Sequence, residues 1–379
     1  YVTINARPTW HIIPGLTLKG QVGYRIASGM DKKDRNAYVF LDYFSGNESG
    51  TFGAVKSATY TTRTSYWMVG ATLDWTKEFG NHRINILGGW NEEVDRRNGW
   101  DDVALLSFFG KAYYSYKDKY LAEVGIRRDG SSLFGDGHKW GNFPSVAVGW
   151  NVNREPWMQN ARFIDNFKIR ASIGSLGNAN IDPYQYLETM TATNSASIAK
   201  SSVIINGQNV PYTSVPDLIP DDITWEKVTT YNIGLDLDLF NNRLSFTGDY
   251  YRRNTTDLYT VGPNLPQVLG SAAPYGNYAS LKTKGWEVSL GWRDSFKLGG
   301  KPFNYSLRAM LWDSRSWITD YYNETGDLTT YYKGMEIGEI WGFRTAGIYA
   351  SNAEALNGPA YNFFKNGEMF RAYAGDLRF

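Results

Sequence analysis

Hydrophobic and polar residues alternate with a period of two along most of the chain. In residues 120–127, Ala122 and Val124 fall on one side, while Glu123 and Arg127 fall on the other. The same alternation recurs in residues 167–173, 231–239 and 286–293. A strand sorts such residues to two faces, whereas a helix would scatter them around its circumference. The pattern therefore predicts an all-β protein.

The connections between the predicted strands fall into two populations that alternate along the chain. Short connections are predicted at residues 13–15, 78–81, 117–119 and 241–242, with two longer ones on the same side at 153–166 and 296–302. Long polar segments separate them, at residues 28–57, 94–102, 128–143, 175–224, 260–282 and from 315 onward. Transmembrane β-barrels have short periplasmic turns and long extracellular loops, whereas a soluble sandwich need not place its long loops at one end. We therefore predict about a dozen strands of a transmembrane antiparallel β-barrel, each near the ~9–11 residues that cross a bilayer obliquely.

Tryptophan positions support the membrane interpretation. Trp67 and Trp75 bracket the apolar face of one predicted strand, and Trp286 and Trp292 bracket another. Aromatic rings at both ends of an apolar band are typical of the girdles at membrane interfaces. The simpler alternative is that Trp is favoured in strands of any kind.

Composition narrows the function classes. The 379 residues hold 39 Lys and Arg against 38 Asp and Glu, so the basic excess typical of nucleic-acid binders is missing. Cysteine is absent, which removes disulfides, thiolate metal ligands and cysteine nucleophiles from these residues. There is no run of about 18 apolar residues, so no helical membrane span is predicted. Tyr1 opens a predicted strand without a signal peptide or an initiator Met, and we expect the natural N-terminus to lie upstream.

A series of ordered motifs begins at Arg127 and continues through much of the chain. Its first part consists of Asp129, Gly130, Ser131, Ser132, Phe134, Phe143, Pro144, Ser145 and Trp150, followed by Glu155. Further blocks occupy residues 168–178, 225–236, 249–251 and 284–287. Together these blocks resemble SusC-like (SusC/RagA type) TonB-dependent outer-membrane transporters.

The resemblance implies a barrel of about 22 strands with a plugged lumen, of which this chain is the central portion. Residues 1–314 would form transmembrane strands with long extracellular loops, and residues 315–379 an extracellular loop and the continuation of the barrel. The family's N-terminal plug domain and TonB-contacting segment are not in these residues. The tail at 375–379 resembles the start of an internal acidic loop, so truncation at Phe379 is expected.

The same resemblance implies function and partners. A SusD-like surface lipoprotein would cover the long loops as a hinged lid, and oligosaccharides or peptides would be imported with energy from the TonB complex. The family often forms a dimer of transporter–lid pairs within the outer-membrane lipid. Two other classes stay open: a passive porin or adhesin-like barrel, and a soluble all-β protein that binds or hydrolyses carbohydrate.

Two groups of residues are candidates for contact with a substrate. Polar side chains are predicted to face the lumen at Glu123, Arg127, Lys168, Arg170, Asp236, Asp238 and Asp249. Aromatic side chains in the loops, at Trp100, Trp140 and Tyr275, would suit the apolar face of a sugar ring. The alternatives are that the charges only hydrate the interior or bind the plug, and that the aromatics pack within loops or against the lid.

Catalysis, cofactors and metals are not predicted. The glycines of residues 135–138 lack the strand and helix context of a dinucleotide site, and turns in an extracellular loop explain them. His11, His82 and His138 lack metal-ligand spacing. Adjacent carboxylates such as Glu92 and Glu93 point to opposite faces of a strand, which makes them poor acid–base partners.

Overall fold

The structure of the chain is a computed structural model dominated by long antiparallel strands. It describes residues 1–53, 56–97, 101–158, 160–190, 204–205, 207–209, 213, 216, 218–263, 265–358, 364–365, 368–369 and 372–378.

The strands of the main sheet are β1 (Val2–Ala6), β2 (Thr9–Ile13), β3 (Leu16–Arg35), β6 (Lys56–Phe79), β7 (His82–Arg97), β8 (Asp101–Tyr116), β9 (Tyr120–Ser131), β10 (Trp140–Asn151), β11 (Ile164–Asn178), β14 (Glu226–Leu239), β15 (Leu244–Val261), β16 (Tyr275–Leu298) and β17 (Lys301–Asp320). Small hairpins outside it are formed by β4 (Tyr38–Leu41) with β5 (Glu48–Phe52), β12 (Ile204–Ile205) with β13 (Gln208–Asn209), β19 (Phe364–Lys365) with β20 (Glu368–Met369), and β18 (Gly347–Ile348) with β21 (Leu377–Arg378).

Each strand of the main sheet pairs with its sequence neighbours in an antiparallel meander, apart from the loop hairpins. β1 and β2 both pair with β3, so they share one position, interrupted at Arg7 and Pro8. Pro8 lies on an edge strand, where its missing N–H is tolerated. Within the described residues the sheet therefore has twelve strand positions, which agrees with the predicted dozen.

The connections alternate in length, as predicted, with one correction. Residues 80–81, 117–119 and 299–300 make tight turns at one end, while residues 132–139, 179–225 and 262–274 connect strands at the other. The long segment predicted at 94–102 is wrong, because β7 and β8 run through most of it. Arg96 and Asp102 lie opposite each other there and form a 3.0 Å ion pair, so the charged sequence continues the ladder instead of breaking it.

Exposure is inverted relative to a soluble sheet. On one face, apolar side chains such as Val124 and Ile126 are 52% and 57% exposed. On the other face, the side chains of Arg170 and Asp249 are only 31% and 19% exposed. An apolar outer face and a polar inner face are the arrangement of a transmembrane barrel wall. The face that carries Val124 is called the outer face below, and the face that carries Arg170 the inner face.

The chain after β17 folds into short pieces. Residues 334–337 bond to the free edge of β17, where Ile318 donates to the Met335 carbonyl at 2.9 Å. A single-turn helix, α1 (Asn352–Asn357), is capped by the Ser351 hydroxyl, which accepts from the Glu354 N–H. The remaining helices are 3₁₀ turns at Val152–Arg154, Pro156–Met158 and Gln267–Leu269. Among the residues described, none of these helices has the length and apolar character needed to cross a membrane.

Candidate functional site on the inner wall

The most connected polar group of the inner face is centred on Arg170. Its guanidinium donates to Asp249 on β15 at 2.6 and 2.7 Å and to Asp236 on β14 at 3.1 Å. Asn232 donates to the same Asp249 carboxylate at 3.0 Å. This set, called the Arg170 network below, joins three strands through one cation and two anions.

A glycine between the partners makes this geometry possible. Gly234 pairs with Arg170 on one side and with Asp249 on the other. A Cβ atom at Gly234 would lie 2.5 Å from the guanidinium carbon, so any larger residue would displace the side chain. Arg170 therefore spans the width of a strand to reach its second carboxylate, and fork-shaped pairing of this kind is strong and geometrically specific.

The other predicted inner-face charges divide into paired and unpaired residues. Lys111 donates to Glu123 at 3.1 Å, and Asn166 donates to Asp238 at 3.2 Å. Arg127 donates to Asp129 at 2.8 Å and to Ser107 at 2.7 Å. Pairing of this extent is what the simpler interpretation, an internally satisfied wall, leads one to expect.

Lys168 is different, because within the described part of the chain its ammonium makes no ion pair or hydrogen bond. It lines an open depression of about 250 Å³ together with Leu121, Glu123, Gly149 and Asn232. A Cβ at Gly149 would lie 3.3 Å from the Lys168 side chain, so the depression depends on the absence of a side chain there. An unpaired ammonium beside an open hollow is the group of this wall best placed to bind a polar ligand.

The sequence motif builds an apolar core on the inner face, near the end with the long loops. Phe134, Phe143, Ile223 and Trp225 are each at most 4% exposed and pack together. The Trp225 ring lies 5.2 Å from the Phe134 ring and 5.6 Å from the Phe143 ring, and its indole N–H donates to the Lys139 carbonyl at 2.9 Å. These four residues are called the inner aromatic cluster below.

Two motif glycines leave room for this cluster. A Cβ at Gly177 would lie 2.1 Å from the Phe143 ring, and one at Gly141 would lie 2.3 Å from it. Phe143 therefore lies flat across the backbone of its own and the neighbouring strand. The loop residues 132–139 and 218–225 are thereby fixed against the inner face.

The remaining motif residues shape the turn that leads into residues 132–139. Ser131 accepts from the Leu133 N–H at 3.2 Å, and Ser132 accepts from the Ala104 N–H at 2.9 Å. Gly130 is covered by the Trp140 ring, since a Cβ there would lie 2.9 Å from it. Ser145 faces inward opposite Gly125, and Pro144 faces outward opposite Ile126.

Trp150 and Glu155 close the opposite end of the same strand. The buried Glu155 carboxylate accepts from the Trp150 indole at 3.0 Å, the Tyr120 hydroxyl at 2.8 Å and the Lys119 ammonium at 3.0 Å. The hydrogen bond from Lys119 is the main reason why the pKa of Glu155 lies below its ordinary value. The motif thus secures both ends of β10, by apolar packing at one and by charge at the other.

The predicted aromatic contacts fall in different places. Trp140 lies on the outer face, 6.2 Å from the Phe108 ring and beneath Arg128 at 5.1 Å, so its placement gives no support to a substrate contact. Tyr275 stacks on Tyr259 at 5.8 Å, beside the inner aromatic cluster, and is 54% exposed. Trp100 lies outside the described residues.

Sequence reasoning missed two features of the inner wall. The packing of Ile223 and Trp225 on Phe143 was not predicted, although the paired glycines beside an inward aromatic were a usable signal. The reach of Arg170 to Asp249 across Gly234 was also missed. No group of three His, Asp or Glu residues that could hold a metal ion occurs among the described residues.

This arrangement defines the class as an outer-membrane β-barrel wall, with an apolar outer face and loops folded over a polar inner face. The family described as TonB dependent receptor-like, beta-barrel matches residues 1–365. The chain therefore belongs to the TonB-dependent receptor β-barrel family and is an outer-membrane protein.

Relatives and solved structures agree with this assignment. TonB-dependent receptor P39 of Formosa agariphila is 30% identical over 79% of the chain and 29% of its own length. TonB-dependent receptor SusC of Bacteroides thetaiotaomicron is 28% identical over 84% of the chain and 33% of its own length. The RagAB peptide transporter structure has the same fold, with a TM-score of 0.69 at 21% identity over 84% of the chain and 36% of that chain. The chain thus spans about a third of the length of these relatives, which are named as receptors and transporters.

Proposed function

We propose that the chain is part of the wall of a SusC/RagA-type importer that carries oligosaccharides or peptides across the outer membrane. The observation that supports this most is the inner aromatic cluster, which fixes extracellular loops over a polar, mostly ion-paired inner face. A wall of this kind forms the side of a chamber in which a hydrophilic ligand of several residues can be enclosed. The similarity to SusC and to a structure named as a peptide transporter supports the same class.

In this proposal the wall binds and guides the ligand but makes or breaks no covalent bond. The paired charges of the Arg170 network keep the wall hydrated without presenting a strong net charge that would trap a ligand. Lys168 supplies one free donor, and the exposed ring of Tyr275 supplies an apolar face for a sugar ring or a peptide side chain. Several weak contacts of this sort suit a transporter, because a ligand bound too tightly is not released.

The proposal includes partners. A SusD-like surface lipoprotein covers the long loops, and the TonB complex supplies the energy for release into the periplasm. Transporter–lid pairs associate as dimers in the outer-membrane lipid. The resemblance to SusC/RagA-type proteins supports these partners.

Gentle detergent extraction of outer membranes followed by mass spectrometry tests the proposal. We expect a stoichiometric SusD-like lipoprotein to co-purify, with bound oligosaccharide or peptide that identifies the substrate class. Uptake of that ligand should stop when TonB is deleted. Recovery without a lipoprotein, combined with TonB-independent permeation, would instead identify a passive barrel.

A further inference from the structure

The outer face carries a row of cations on three adjacent strands. Arg252 on β15 lies directly opposite Lys284 on β16, and Lys284 lies directly opposite Arg315 on β17. All three side chains are exposed. Lys282 lies on the same face, one pair further along, 6.0 Å from the centre of the Trp317 ring. Arg252, Lys282, Lys284 and Arg315 are called the outer cation row below.

Within the described residues the charge of this row is hardly compensated. Arg315 lies 3.9 Å from Glu336, and its side chain remains 63% exposed. Arg252 donates to the neutral Asn254 at 3.2 Å, and Lys284 has no ion pair. Asp313, the nearest acid on the same face of β17, pairs with Trp286 and forms no ion pair with the row. Like charges directly opposite one another destabilise a sheet, so the row is costly unless an anion lies over it.

The depth of the row indicates which anion that is. One pair closer to the middle of the strands, the outer face carries Tyr250 and Trp286, which are 49% and 40% exposed. Aromatic rings at this position are typical of the level of lipid headgroups. The row lies beyond these rings, toward residues 262–274, which is the end with the long loops. It therefore lies at the headgroup level of the outer leaflet.

We propose that the outer cation row binds the phosphate groups of a phosphorylated lipid of the outer leaflet. Cations on neighbouring strands lie about 5 Å apart, so one phosphate can accept from two of them. Charge-assisted hydrogen bonds from Arg and Lys to phosphate are strong, and basic clusters beside a membrane recognise anionic headgroups. The lipid lies against Tyr250 and Trp286 and neutralises the repulsion within the row.

The test uses the complete transporter, purified in mild detergent, delipidated, and mixed with phosphorylated lipid A. Native mass spectrometry counts the bound lipid in the wild type and in the double variant R252Q/K284Q. The matched control is K77Q/K301Q, which removes two exposed outer-face cations at the opposite end of the strands. A third variant, R252K/K284R, exchanges the two residue types but keeps both charges.

We expect R252Q/K284Q to weaken lipid binding by about 25-fold, or about fivefold for each cation lost near the membrane surface. K77Q/K301Q and R252K/K284R should bind within about twofold of the wild type, and added salt should weaken binding because surface charges are screened. Migration of each unheated variant as a folded barrel in gels excludes misfolding as the cause. Equal binding by the two Gln variants, or equal binding of dephosphorylated lipid A by the wild type, would overturn the proposal. Occupation of the row by an acidic protein in place of lipid would overturn it as well.

Discussion

The two faces of strands β11, β14 and β15 share one hydrogen-bonded ladder but follow opposite rules. On the outer face, Ile233 and Tyr250 lie opposite each other and are 56% and 49% exposed. On the inner face of the same strands, Arg170 and Asp249 are paired at 2.6 Å and are largely shielded by their neighbours. Apolar groups on the outside are stabilised by lipid, whereas polar groups on the inside must be satisfied by one another or by water.

This comparison shows that the inner face is not uniform. Most of it is a polar wall, but the inner aromatic cluster is a dry core of the kind found inside soluble domains. That core lies only where the loops fold back over the sheet. Disrupting each type of surface should therefore have a different cost, and four substitutions rank these costs from the largest to the smallest.

Removal of the central ring of the inner aromatic cluster should have the largest effect. Phe143→Ala leaves a cavity between Trp225 and the backbone of Gly141 and Gly177, and should lower stability by about 3–5 kcal/mol. Phe108→Ala, on the outer face where the ring is 48% exposed, is the control and should cost far less. Urea unfolding of the refolded barrel in lipid vesicles measures both. Similar losses would show that Phe143 is not part of a dry core.

Placing a charge on the outer face should have the next largest effect. Val124→Arg puts a cation among lipid chains and should cost about 2–4 kcal/mol and reduce the amount of assembled barrel. Glu123→Arg, one residue away on the inner face, should be much milder. The fraction of heat-modifiable barrel in outer membranes reports both, and equal effects would mean that the strand register is wrong.

Loss of one partner of the Arg170 network should have an intermediate effect. Asp249→Asn keeps the shape of the side chain but removes the charge, and should cost about 1–2 kcal/mol because the site is partly open to solvent. The matched control on the outer face is Tyr250→Phe, which should be close to neutral. A double-mutant cycle with Arg170→Gln measures the coupling, and additive effects would contradict a direct pairing.

The smallest effect is expected at Glu155, and it should depend on pH. Because the folded-state pKa is lowered, Glu155 stabilises the native state at neutral pH, and this contribution is lost as pH falls below about 4.3 and through the folded-state value. Glu155→Gln should therefore be less stable than the wild type at pH 7, and the difference should shrink in acid. A difference that stays constant with pH would rule out an ionic contribution.

Much of the fold was predictable because the membrane imposes a strict pattern. Period-two alternation identified both faces of β9, β11, β14 and β16, and the spacing of the connections gave the hairpin order. The prediction failed at residues 94–102, where Asp95, Arg96 and Asp102 look like a loop but continue the ladder in water beyond the membrane. Charge identifies loops poorly when strands extend past the bilayer, as β6 and β16 do with 24 residues each.

The inner wall was only partly predictable. Alternation placed Glu123, Arg127, Lys168, Arg170, Asp236 and Asp249 on one face, and the register agrees with that placement. It gave no information about which of them pair, because Arg170 reaches Asp249 over an intervening strand. Trp140 was expected in a loop but begins β10 on the outer face. Which side chains meet depends on register and on glycines, and neither can be read from a single strand.

The central claim is that Val124 faces lipid while Glu123 faces a water-filled interior. The 379 residues contain no cysteine, so single cysteines at these positions can carry a spin label without background from this chain. In reconstituted vesicles, relaxation by lipid-soluble oxygen and by a water-soluble nickel complex reports the surroundings of each label. The assignment predicts that Val124→Cys responds mainly to oxygen and Glu123→Cys mainly to nickel. The same response at both positions, or the reverse one, would contradict it.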